Sequence, residues 1–164
     1  HLRLAPPEFF WFFLLPIAGI MGGAWASGRL AGRIAPKNQI KYGFVVMLLV
    51  SLANVAANFV FAPHAGWALL PIAVFGFGWS LMVPVVTLLV LDLNPDRRGL
   101  ASSLQAVIGS TANGIVAGAI APLVMHSTRL LAVASLLMMC VGLVAWLLVH
   151  KRWPEIGRHV PVHA

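Results

Sequence analysis

The sequence predicts an all-α integral membrane protein with five transmembrane helices, and three observations carry that prediction. Of its 164 residues 60% are hydrophobic and only 9% are charged, with a mean hydropathy of +0.92; soluble domains average about 45–50% apolar and ~25% charged residues. Five apolar runs are each long enough to cross a hydrocarbon core of about 30 Å as a helix. The Lys and Arg residues stand between those runs, most of them in alternate connections.

The first span is expected over 9–33 and contains "AGIMGGAWASGRLAG". Gly19 and Gly23, then Gly28 and Gly32, are four apart and share a face, which suits close packing against another helix. The second, over 44–61, carries Asn54 and Asn58 one turn apart, either as interhelical glue or as cavity lining. The third, over 66–91, holds Phe75, Phe77 and Trp79 alternating with Gly and Ser neighbours, followed by Pro84. Pro84 removes a backbone donor and is expected to bend the helix, a candidate hinge beside an aromatic surface. The fourth span, over 100–124, places Gln105 and Asn113 among Ser102, Ser103, Ser110 and Thr111, with Gly114 and Gly118 as a second small-residue face. The fifth covers 130–149, and 150–164 form a tail. "APHAG", "DLNPDRRG" and "MHSTR" supply the breaks between spans two and five.

Loop cations orient the chain. Arg29, Arg33, Lys37 and Lys41 lie between spans one and two, Arg97 and Arg98 between three and four, and Lys151, Arg152 and Arg158 after five. The other side holds Arg3 and Arg129, so nine cations face two, and the richer side is expected to be cytoplasmic. The chain start then faces outward and the C-terminus inward. A net charge of +7 does not indicate nucleic acid here, because the cations separate apolar runs instead of clustering on a soluble face. The chain opens on His1 and "HLRLAPPEFF" lacks signal-peptide order, so it reads as part of something longer.

Catalytic chemistry has no basis in these residues. No carboxylate falls within a span, Cys140 stands alone, and no nucleophile, base and orienter come together. His159 and His163 are four apart, but Pro161 interrupts the helix that would bring both to one metal. Neither a metal nor a cofactor is expected.

Two stretches resemble a known family. "GRLAGRIAPK" resembles the cytoplasmic signature G-x-L-a-D-R-x-G-R-K of the major facilitator superfamily, with Gly28, Leu30, Ala31, Arg33 and Lys37 in matching places, Arg29 between them, and Gly32 where the signature has Asp. "LDLNPDRRGLASSLQ" resembles the tenth-to-eleventh connection of drug-resistance transporters in the bicyclomycin and chloramphenicol resistance branch. Asp92, Pro95, Arg98, Gly99, Ala101, Ser102 and Ser103 carry that match, and "PPEFFWFFLLP" resembles the start of the eighth span. The resemblance implies spans eight to twelve of a transporter, forming most of its C-terminal six-helix half, in a bacterial inner membrane. Its implied partners are a small-molecule substrate, the lipid bilayer, the N-terminal half of the same transporter, and a proton as coupling ion. The implied activity is export of drugs or other small amphipathic compounds. A carrier for another small solute, or a five-span scaffold subunit, remains open on the residues alone.

Overall fold

All regular structure in the described residues is helical. The computed structural model describes residues 6–60 and 65–156, with the side chains of 13–60 and 69–156. The helices are α1 (Pro6–Leu30), α2 (Pro36–Val60), α3 (Ala65–Asp92), α4 (Arg98–Ile115), α5 (Ala121–Val124) and α6 (Thr128–Arg152). A short 3₁₀ turn, Pro95–Arg97, leads into α4, and a π turn, Val116–Ile120, joins α4 to α5. Among the described residues four stretches are long and apolar enough to cross a membrane: Pro36–Val60, Leu69–Asp92, Pro95–Val124 and Thr128–Arg152. A helix of 25 residues, such as α2, rises about 37 Å, enough to span the hydrocarbon and reach the headgroups. Arg3, Phe61, His64, Arg158, His159 and His163 lie outside the described residues.

Several boundaries differ from the sequence reading by two residues or more, and two of the differences have clear local reasons. The second span begins at Pro36 rather than 44, so Lys37 and Lys41 ride on the first turns of α2 instead of lying in a loop. Proline is well suited to a first helical position, since its φ is preset and its missing N–H had no helical partner there. The first span ends at Leu30 rather than 33, because Gly32 takes φ 75°, a left-handed conformation that stops the helix. Glycine enters that region without the Cβ penalty other residues meet.

Helix α3 is the hub. One side packs against α1, where the backbones touch: Gly19 abuts the carbonyl oxygen of Ala73, and Gly23 that of Phe77. Another side packs against α2, where a Cβ on Gly43 would stand 2.8 Å from the carbonyl oxygen of Gly78. Lipid tails supply no hydrophobic drive for such contacts, so dispersion between closely approaching backbones has to provide it. Helix α6 packs against α2, and Ile40, Phe44, Met47 and Met139 form a buried cluster there that α3 side chains such as Met82 and Val86 also reach. Most other large apolar side chains face outward, as expected where the surrounding solvent is hydrocarbon.

Helix α3 continues as a helix through both Pro71 and Pro84. Pro84 leaves the Ser80 carbonyl without its usual donor, while the Ser80 hydroxyl donates to the Ile20 carbonyl of α1 at 2.8 Å. A different accommodation occurs before Pro122. Its ring would collide with the carbonyl four residues earlier, and the widened turn over Val116–Ile120 relieves this, with Ala121 N–H bonding the Val116 carbonyl.

Candidate functional site

The helix ends sort the charges. Short connections make successive helices antiparallel, so the ends of α1, α3 and α6 share one side with the starts of α2 and α4. The side chain of Gln39, near the start of α2, verifies this level: it donates to the Ser27 hydroxyl of α1 at 2.7 Å and to the Leu81 carbonyl of α3 at 3.1 Å. Arg29, Arg33, Lys37, Lys41, Arg97, Arg98, Lys151 and Arg152 are all on this side, with Asp92, Asp96 and Glu155. Among the described residues the opposite side has one cation, Arg129, which bonds the Asn58 carbonyl at 3.1 Å and lies over the Phe59 ring.

The signature-like loop is held by its backbone. Ala31 N–H bonds the Ser27 carbonyl at 3.0 Å, and the N–H groups of Arg33 and Ile34 both reach Leu30. Gly28 has open space beside it, and Arg29 stacks over the Trp25 ring at 4.7 Å. Arg33 and Lys37 flank the turn on either side. At the second cationic connection Arg98 pairs with Asp92 at 2.9 Å, and both side chains are more than half exposed. Such a pair contributes under about 1 kcal/mol, so it orients the turn more than it stabilises it. Gly99 follows in the first turn of α4, again with open space around it.

The intramembrane polar residues fall into three environments. Asn54 and Asn58 are half-buried and satisfy each other: the Asn58 amide donates to the Asn54 carbonyl at 2.8 Å and its side-chain oxygen at 3.1 Å. Gln105 donates to the Thr87 hydroxyl at 3.1 Å, tying α4 to α3. Asn113 is exposed, and its amide has no hydrogen-bond partner among the described residues.

Helix α4 is two-faced. At about 100° per residue, Ser102, Ala106, Gly109, Ser110 and Asn113 share one arc, while Leu100, Leu104, Val107, Ile108 and Ile115 occupy the other. Gln105 sits at the border. The span from Pro95 to Val124 has no buried residue, so its polar arc is uncovered by the described chain. Gly114 and Gly118 likewise meet nothing within 4 Å, in contrast to Gly19 and Gly23.

The aromatic candidates do not form one platform. Phe75 packs against the cluster around Phe44, Phe77 abuts α1 at Gly22 and Gly23, and Trp79 points outward. Sequence reasoning missed two ties made by buried side chains, Gln39 to Ser27 and the Leu81 carbonyl, and Ser80 to the Ile20 carbonyl. Gln39 stands between Lys37 and Lys41, and that charge made its segment read as loop; Pro36 followed by apolar Ile40, Phe44 and Met47 was the available helical signal.

The sequence profile of the Major Facilitator Superfamily matches residues 2–118, well over half of the chain. Comparison with curated proteins and with solved structures gave no significant match. The matched segment includes the signature-like loop, the hub helix α3 and nearly all of the two-faced helix α4. With four long apolar spans among the described residues, a charge-sorted pair of ends and this match, the chain belongs to the Major Facilitator Superfamily, whose members are transporters of small solutes rather than enzymes.

Proposed function

We propose that this chain is the C-terminal portion, spans eight to twelve, of a proton-coupled exporter of drugs or other small amphipathic compounds in a bacterial inner membrane. The observation that carries this reading is the uncovered polar arc of α4, with Asn113 exposed and unpartnered in the middle of an apolar span. An amide bared to hydrocarbon is costly, so the arc fits a helix that faces a water-filled cavity and not lipid. Asn113 and Ser110 then contact the transported compound, and Gln105, held by Thr87, stands at the cavity's edge. Gly114 and Gly118 fit close approach by the other half of the transporter as the halves rock.

No Lys, Arg, Asp or Glu lies mid-span in α2, α3, α4 or α6. A dedicated site for a sugar acid or carboxylate would call for a cation at that depth, so the lining favours uncharged or amphipathic cargo. The proton-carrying acids belong, on this reading, to the N-terminal half, and the cation-rich side faces the cytoplasm. The test is drug accumulation in cells expressing the full-length protein, with and without a proton uncoupler. Lower accumulation that the uncoupler reverses is expected, and Asn113→Ala should abolish it for part of the compound panel. Equal accumulation with and without the protein, across the whole panel, overturns the reading.

A further inference from the structure

A groove of about 430 Å³ runs between the end of α3 and the start of α4. Its walls are Val90, Leu93, Leu100, Ala101, Leu104 and Ile108, from the apolar side of α4 and the facing side of α3, with Gln105 on its rim, and none of Ser102, Ser110 or Asn113 lines it. Arg97 and Asn94 stand at one end, on the cation-rich side. From Arg97 to Ile108 a helical rise of about 1.5 Å per residue gives roughly 16 Å. That is about the depth of one leaflet of a ~30 Å hydrocarbon core.

Charge selects the headgroup. The two arginines of this turn are in different states: Arg98 is bound to Asp92, whereas the Arg97 guanidinium is exposed and has no ion-pair partner among the described residues. Eight cations against three carboxylates make this whole side of the described chain attractive to anions. We propose that the groove is a binding site for one anionic phospholipid of the adjoining leaflet, with an acyl chain along Leu93, Leu104 and Ile108 and the phosphate on Arg97. Asn94 offers an amide beside the same headgroup. Bound there, the lipid seals the light contact between α3 and α4 and holds α4 in place. The site does not depend on what the protein transports.

The test is native mass spectrometry of the full-length protein purified in detergent and titrated with phosphatidylglycerol. Phosphatidylcholine of the same chain length and soluble glycerol phosphate serve as the two comparison probes. Phosphatidylglycerol should bind at least fivefold more tightly than phosphatidylcholine, and glycerol phosphate should not bind, since chain and charge are both required. Arg97→Gln should weaken phosphatidylglycerol about fivefold, matching the contribution of one cation near an anionic surface. Arg129→Gln, at the other end, should leave it unchanged. Ala101→Trp, which fills the groove from its wall, should remove binding while the Arg97→Gln protein keeps the wild-type thermal transition. Equal affinity for the two lipids, no effect of Arg97→Gln, or binding that survives Ala101→Trp overturns the proposal. So does absence of any phosphatidylglycerol adduct, which would mean that another part of the protein covers the groove.

Discussion

Adding one methyl group at Gly23 tests how α1 and α3 are held together. A Cβ there would stand 3.0 Å from both the carbonyl carbon and the Cα of Phe77, and it would collide with the carbonyl oxygen. At Gly19 the same methyl would lie 2.8 Å from the Ala73 carbonyl carbon. Carbon atoms rest at about 3.5–4.0 Å, so the helices have to part by roughly 1 Å, forfeiting a quarter to a half of the dispersion along the seam. Overpacking of this kind costs about 1–3 kcal/mol. The partners are backbone atoms, which no rotamer change can move aside. Gly19→Ala and Gly23→Ala should each lower stability by that amount, measured by reversible unfolding in mixed micelles followed by tryptophan fluorescence. The double variant should cost little more than either alone, because one displacement of α1 relieves both collisions. Gly28→Ala is the control, since a Cβ there meets nothing within 4 Å, and it should be neutral or up to about 1 kcal/mol more stable. If Gly23→Ala is as stable as Gly28→Ala, or if the two losses add in full, the close seam is not what binds α1 to α3.

Three further perturbations examine the ties at the cationic side. Gln39→Leu strips the Ser27 hydroxyl and the Leu81 carbonyl of their shared donor and should cost about 0.6–1.7 kcal/mol in the same unfolding assay, the range of interhelical hydrogen bonds in membranes. Gly32→Ala forces a Cβ into the left-handed conformation and should cost about 1–2 kcal/mol, with Gly32→Asn costing visibly less. Asp92→Asn removes an exposed ion pair and should change stability by less than about 1 kcal/mol, and what little is lost should vanish when the wild type is measured at high salt.

The fold was legible where the physics is one-dimensional. Four of the five expected spans recur as long apolar helices among the described residues, since a backbone in lipid has no alternative to satisfying itself, and the sorting of cations follows from the connections between them. The start of α2 was not legible in that way. Lys37 and Lys41 suggested solvent, but long cationic stems let a helix begin at the interface with its charges reaching water. The small-residue motif showed the complementary limit. Gly19 with Gly23, and Gly114 with Gly118, have the same spacing, yet only the first pair meets a partner within the described chain. Spacing identifies a surface fit for close approach; which helix arrives is a property of the assembled bundle. Gln105 and Asn113 make the same point, because sequence placed them together while the helical register separates them by nearly a quarter turn and gives Thr87 to only one.

That separation bears on how such a segment works. A helix that lines a path and also moves cannot be fixed on all sides, and α4 is fixed at few points: the Asp92–Arg98 turn, the Gln105–Thr87 bond, and light contact with α3. By contrast α1, α2 and α3 are joined through backbones that touch at Gly19, Gly23 and Gly43, seams that open only at the cost of many contacts at once. The chain therefore combines a stiff three-helix body with a lightly tethered helix. Toward its far end α4 passes into the π turn before Pro122, where a wider coil replaces the ordinary hydrogen-bond ladder. Stiffness resides where glycine brings backbones into contact, and freedom resides where the polar arc is uncovered. Under the proposed transport role this is the useful division, because the body rocks as one piece while α4, as the proposed lining helix, adjusts to the cargo.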